Sequence, residues 1–284
     1  MKNIYWLVSY PKSGNTWFRM FLANYLANAS KPLSLNEIQE SSISSSAIDF
    51  EDLIGLDPFE LYPEETDLYR PDLYRIQSEI EPGRINYKKT HDAYTLNQNN
   101  EPLFPEDVSL GAIYFVRNPM DVCVSYANHS SSKIEKTVRL IQNKQSKVAG
   151  HKSGQLRQIL LSWQDHYFSW CKQSQIPILL IRYEDMKRTP MEAFGKMIRF
   201  LKLEYDEERL SRSIINSDFK LLQQMEKEEG FKERIQQCKS FFWKGAIGNY
   251  QDYLSKEQVE EIIQSNFEGM YQLGYIDSSG KITI

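Results

Sequence analysis

Cysteine is scarce in this chain. Cys123, Cys171 and Cys238 are three among 284 residues, widely spaced, odd in number and without a Cys-x-x-Cys pair. That excludes a disulfide scaffold or a cysteine-built metal site and fits reduced thiols in a cytoplasmic protein. No run approaches the roughly 18 apolar residues of a membrane span. The opening run Ile4-Tyr-Trp-Leu-Val8 is cut at once by Ser9, Tyr10 and Pro11, too short for a signal-peptide core. Excess positive charge is also missing: 34 Lys and Arg against 38 Asp and Glu leave a net charge of −4. With no long basic run, a general nucleic-acid surface is excluded, and any bound anion must be held by locally placed donors. Internal repeats and linkers rich in Pro and Gly are absent, so one domain over residues 1–284 is expected.

What is present begins at the N-terminus. Four apolar runs read as buried strands: Ile4 to Tyr10, Ile85 to Lys89, Ala112 to Arg117 and Ile178 to Tyr183. Helical patterns separate them, at Trp17 to Leu26, Gln155 to Lys172 and Met191 to Leu203. Alternating strands and helices imply an α/β chain, and we expect a three-layer P-loop-type fold with a central parallel β-sheet flanked by helices. Ligands of such sheets gather beyond the carboxyl ends of the strands, where Lys12, His91, Arg117 and Tyr183 fall. Residues 29–84 are expected to hold short helices around a substrate mouth. Residues 130–154, polar and lysine-rich from Lys133 to Lys152, read either as an exposed helix and loop or as a lid.

The first strand runs into Tyr10-Pro-Lys-Ser-Gly-Asn-Thr-Trp17 and an amphipathic helix from about Asn15. Backbone N–H groups at a helix start lack intrahelical partners and the macrodipole is positive there, which makes an anion site; Lys12, Ser13 and Thr16 add donors. Lys12 precedes Gly14, whereas the ATP-binding Gly-x-x-x-x-Gly-Lys-[Ser/Thr] loop has its lysine after the second glycine. A plain strand-to-helix connection is the other reading. At the second strand end, Lys89-Thr90-His91 is either a structural histidine or a base. Arg117 and Ser125, in Arg117-Asn-Pro-Met-Asp-Val-Cys-Val-Ser125, are placed to face one phosphate, or Arg117 pairs with Asp121 at the helix start.

The Tyr-Pro-Lys-Ser-Gly-Asn-Thr-Trp segment resembles the 5'-phosphosulfate loop of sulfotransferases that use 3'-phosphoadenosine 5'-phosphosulfate (PAPS), and the other motifs follow in that family's order. The resemblance implies sulfuryl transfer to a hydroxyl or amine of a small-molecule acceptor, leaving 3',5'-diphosphoadenosine (PAP); with no acidic metal-binding cluster beside the loop and a sulfuryl group less charged than a terminal phosphate, the transfer is expected to need no metal. It implies His91 as the base, Lys89 as its neighbour positioning the acceptor or His91, and Lys12 as the group neutralising charge, with Ser125 restraining Lys12. Lys12, Ser13, Gly14, Asn15, Thr16 and Trp17 would bind the donor. Arg117 and Ser125 would hold the 3'-phosphate, and Trp17, Tyr183 and Phe219 would lie against the adenine; each aromatic also reads as core packing. Phe242-Trp243-Lys244-Gly245-Ala-Ile-Gly248-Asn-Tyr250 resembles the family's Arg-Lys-Gly-x-x-Gly segment, which assigns Trp243, Lys244 and Gly245 to the nucleotide. Trp243 stands where that segment has its phosphate-gripping arginine. A lost charge-assisted bond costs about 1.5–3 kcal/mol, roughly ten- to a hundredfold in affinity. Two other classes fit parts of the pattern: a nucleotide or small-molecule kinase, and a non-catalytic nucleotide-binding protein.

Overall fold

A computed structural model of the chain describes residues 2–37, 41–150 and 154–284. It forms two compact units, one of residues 1–10, 41–114 and 144–180, the other of residues 11–40, 115–143 and 181–284. Seven strands are described: β1 (Ile4–Ser9), β2 (Ser41–Ile43), β3 (Asn86–Thr90), β4 (Ser109–Val116), β5 (Lys147–Gly150), β6 (Gln155–Ile159) and β7 (Ile178–Arg182). Five form a central parallel sheet in the order β2-β3-β1-β4-β7, and β5 and β6 pair antiparallel. The fold is α/β, as the alternation of elements predicts.

The sheet belongs to the first unit, apart from the last residues of β4 and β7. All of β1 is buried, as its unbroken apolar run requires of a middle strand covered on both faces. The Trp6 indole lies 4.9 Å from both the Tyr74 and Phe104 rings and donates its N–H to Ser109 Oγ at 2.8 Å. A polar ladder crosses this unit. Glu64 and Asp67 both bond Arg157, and the fully buried Arg70 bonds Asp92 through two nitrogens at 2.7 and 3.2 Å.

The second unit is helical. Its aromatic core joins Phe18 and Phe21 of the Asn15–Leu26 helix to Phe115 and Phe194, the closest pair being Phe21 and Phe194 at 4.3 Å. Helices Pro119–Ser130, Pro190–Phe200 and Phe219–Glu229 belong to it as well.

Several expectations are corrected. Gln155 to Lys172 is not one helix: Gln155–Ile159 is strand β6, and the helix starts only at Trp163 with Ser162 as its cap. Alternating burial of Leu156 and Gln158 is the period-two signal that the longer pattern concealed. The three-residue β2 and the β5–β6 pair join the four expected strands. Residues 29–84 hold a long helix, Pro63–Ile80, besides the short Ala47–Ile54. Within 130–154 the chain forms the helix Ile134–Gln142 and β5, while Lys152 lies outside the described residues.

Candidate functional site

In the first unit, parallel register decides where His91 goes. Ile4 pairs with Asn86 and Val8 with Thr90, so the next residue of each strand, Ser9 and His91, emerge side by side. His91 Nδ1 lies 2.8 Å from the Ser9 carbonyl oxygen and 3.1 Å from Ser9 Oγ. A carbonyl can only accept, so Nδ1 carries the proton and donates. In the neutral form of the ring this leaves the lone pair on Nε2. Lys89 sits two residues earlier on β3, paired in register with Leu7 and Ile43.

Among the aromatics of the same unit, Tyr74 is core: it is fully buried and its hydroxyl donates to the Ser44 carbonyl at 3.2 Å. Tyr94 donates to Gln175 at 2.6 Å and meets Trp170 edge-on. Phe59 is half-buried, Tyr69 is at the border of exposure and Tyr62 is exposed.

The second unit carries the loop from Pro11 to Gly14 that the sequence reads as an anion site. Lys12 has φ +71°, a left-handed conformation uncommon for a side chain other than glycine, and its ammonium rests 3.9 Å from the centre of the Phe241 ring. Gly14, at φ +101°, caps the following helix, and a Cβ there would stand 2.9 Å from Tyr183 Cδ2. Only glycine lets this turn close against the tyrosine. No side chain caps the helix and its first turn contains no acid, so no side-chain charge of its own offsets its positive end. Asn15, Thr16 and Trp17, buried, form that first turn. Ser13 Oγ and the Tyr183 hydroxyl are buried without a hydrogen-bond partner. Burial pushes the Tyr183 phenol above its ordinary pKa.

Arg117 gathers this loop and a second one. Its guanidinium donates to the Lys12 carbonyl at 3.3 Å and the Ala246 carbonyl at 2.9 Å, and lies 4.4 Å from the Tyr183 ring centre. Asp121, 4.0 Å from Arg117, accepts from Gly248 N and Tyr250 N at 2.8 and 3.1 Å, so the expected Arg117–Asp121 approach is present alongside these two bonds. Ser125 lies in the second turn of the same helix, half-buried. Gly245, at φ +59°, packs so tightly on Phe219 that a Cβ would overlap the ring.

Trp243 and Lys244 have neighbours in the segment that follows them. The Trp243 ring meets Tyr253 at 5.4 Å, and the Lys244 ammonium lies 3.4 Å from Asp252 and 4.6 Å from the Tyr253 ring centre. Trp17 donates to the Ser217 carbonyl at 2.7 Å and meets Tyr183 edge-on.

Residues that the motifs did not reveal also shape these loops. The Lys187 ammonium lies 5.4 Å from the ring centres of both Trp17 and Phe219, and burial, first among its causes, lowers its pKa. It sits four residues after Tyr183, one helical turn away, which was the available signal. Glu226 accepts from Phe241 N and Phe242 N at 2.7 and 2.9 Å and so shapes the segment leading to Trp243.

Among the described residues no group of three or more His, Cys, Asp and Glu stands together as metal ligands, and no helix is long and apolar enough to cross a membrane.

Relatives are found by sequence. Mouse sulfotransferase 1B1 is 27% identical over 171 residues, 56% of this chain and 52% of that protein, so the match takes in about half the length of each. Cytosolic sulfotransferase 8 of Arabidopsis thaliana is 25% identical over 93% of this chain and 76% of its own. Among solved structures, mouse sulfotransferase SULT7A1 complexed with PAP aligns over 99% of this chain and 87% of its own, at 19% identity and a TM-score of 0.61. Retinol dehydratase in a complex with retinol and PAP aligns over 95% and 82%, at 17% identity and the same score. These two structures share the fold. The sulfotransferase domain itself matches residues 3–274, nearly the whole chain, and the protein therefore belongs to the sulfotransferase family.

Proposed function

We propose that the chain transfers a sulfuryl group from PAPS to a hydroxyl or amine of a small-molecule acceptor, as one sulfotransferase domain. The observation that carries this reading is the start of the Asn15–Leu26 helix, with no capping side chain, no acid in its first turn and the buried, partnerless hydroxyl of Ser13 beside it. That donor set fits a sulfated phosphate, which offers acceptor oxygens and negative charge together. The nucleotide, when bound, supplies the sulfuryl group and its phosphate leaving group.

The remaining chemistry belongs to the chain. Lys12, Ser13, Thr16 and the amides after Gly14 hold the 5' end and neutralise charge as it moves to the leaving phosphate. Arg117 and Ser125 receive the 3'-phosphate, with Lys244 and the Gly245 amide nearby in sequence. Trp17, Tyr183 and Phe219 present the apolar faces for the base. His91 takes the acceptor's proton through Nε2, the nitrogen left unprotonated by the Nδ1 bond to Ser9, which lies three residues before Lys12 in the chain. Lys89 assists in orienting His91 or the acceptor. The transfer is read as metal-independent, because a sulfuryl group carries less charge than a terminal phosphate.

Two measurements test the reading. PAP raises the melting temperature with concentration, and AMP does so less. Sulfate labelled in PAPS then appears on members of a panel of phenols, alcohols and amines. Stabilisation by ATP and Mg²⁺ with none by PAP would replace the proposal with a kinase; PAP binding without transfer to any acceptor would leave a nucleotide-binding protein.

A further inference from the structure

The helix Trp163–Cys171 grips the chain just after β3 through two aromatic N–H groups one turn apart. His166 Nε2 lies 3.1 Å from the His91 carbonyl oxygen, and Trp170 Nε1 donates to the Asp92 carbonyl at 2.8 Å. Positions i and i+4 share one helix face, so consecutive carbonyls of the extended segment are met by consecutive turns of the helix. Ser169 Oγ of the same helix accepts from Tyr94 N at 2.9 Å, and the Asp92 carboxylate is fixed by Arg70 and accepts from Ile159 N at 2.8 Å. His91 thus stands on a backbone held from both sides.

We propose that His166 is a positioning residue for His91, acting as one fixed tautomer whose Nε2–H holds the His91 carbonyl and so orients the imidazole mounted on it. The carbonyl can only accept, which places the His166 proton on Nε2. His166 Nδ1 then has the lone pair, and the Tyr114 hydroxyl, 2.7 Å away, donates to it. The bonds run in one sense: Tyr114 O–H to His166 Nδ1, His166 Nε2–H to the His91 carbonyl, His91 Nδ1–H to the Ser9 carbonyl. The last of them fixes the proton of His91 on Nδ1, which leaves the lone pair of the neutral ring on Nε2. His166 is fully buried, with the Tyr10 ring edge-on at 5.5 Å and the Asp92 charge nearby. Burial lowers its pKa to about 4, which keeps the ring neutral and the tautomer single near pH 7.

The inference rests on His91 being the base, and its test separates the two. Long-range ¹H–¹⁵N correlation spectra of ¹⁵N-histidine-labelled protein report which nitrogen of each ring carries the proton. Wild type is expected to show His166 as the Nε2–H form and His91 as the Nδ1–H form. His166→Gln, with an amide nitrogen near the place of Nε2, keeps the His91 form. His166→Leu turns His91 into an exchanging mixture and lowers sulfuryl transfer about a hundredfold, the scale of a misplaced catalytic group, while PAP affinity stays unchanged. An Nδ1–H form of His166 in wild type overturns the proposal, whether or not the leucine variant folds. So does an unaltered His91 spectrum in folded His166→Leu. A wild type that shows both expected tautomers and binds no PAP overturns the proposed function and leaves the His166–His91 coupling standing.

Discussion

His91 Nδ1 and the Ser9 carbonyl oxygen are 2.8 Å apart, joined across the ends of two neighbouring parallel strands. The bond uses one ring nitrogen and, in the neutral ring, leaves the lone pair on the other. On the proposed reading, His91→Ala removes the base and nothing that the nucleotide touches. Transfer should fall about 10²- to 10⁴-fold, the usual contribution of a positioned base. PAP affinity measured by titration calorimetry should not change. Turnover at the wild-type rate would remove His91 from the mechanism.

Acid should destabilise the fold through His166. Its pKa falls from 6.5 to about 4 on folding because the buried ring is costly to charge. Above pH 6.5 neither state binds the proton. Between 6.5 and about 4 the unfolded chain takes it up while the folded one does not, so stability is lost as pH falls through that window and levels off below it. At pH 5 the loss is about 2 kcal/mol. Glu184, whose pKa burial raises, contributes in the opposite sense, so the comparison is with His166→Gln, which lacks only this titration. Denaturant unfolding at pH 7.5 and pH 5 should show the larger drop in wild type. Equal drops would mean that His166 is not held neutral by the fold.

Gly245 and Gly83 both have left-handed backbones, at φ +59° and +83°, yet differ in their surroundings. Around Gly83 nothing lies within 4 Å of an added Cβ; at Gly245 that carbon would enter the Phe219 ring. Gly83→Ala should cost the backbone strain alone, about 1–2 kcal/mol. Gly245→Ala should cost more and displace Phe219, lowering PAP affinity, whereas Gly83→Ala leaves affinity unaltered. Matching losses of stability would show that the ring moves aside freely.

The parts legible in sequence were those whose physics is local. An apolar run ending in a glycine turn announces a buried strand, a sharp bend and a helix start, and Ile4 to Leu26 folds that way. The Lys-Thr-His triplet could be placed at a strand end because Asn86–Thr90 is short and bounded. His166 was hidden because its meaning is tertiary: among Trp163, Tyr167 and Trp170 it looks like one more core residue, and only the fold brings its Nε2 to the His91 carbonyl. Strand β2 escaped because a Ser-rich triplet has no apolar period, and β6 because its five residues continue without a break of composition into a helix. Lys187 carried no motif; its two aromatic neighbours come from positions 17 and 219.

Trp243 stands where the motif resemblance expects an arginine, and on the proposed reading the geometry around it sets the sign of the outcome. Its indole meets Tyr253, and Lys244, the adjacent cation, lies by Asp252 and the same tyrosine. Gln223 bonds the Phe242 carbonyl at 2.9 Å and also the Trp243 carbonyl, so the backbone there is held independently of the side chain at 243. Trp243→Arg should therefore leave the loop in place and add a planar cation suited to a phosphate. PAP binding should tighten about ten- to a hundredfold, the worth of one charge-assisted bond. AMP, without the 3'-phosphate, should gain little. The ratio of the two affinities, measured by calorimetry at fixed ionic strength, is the test, because general electrostatic attraction would strengthen both alike. A parallel gain for PAP and AMP would place residue 243 away from the 3'-phosphate.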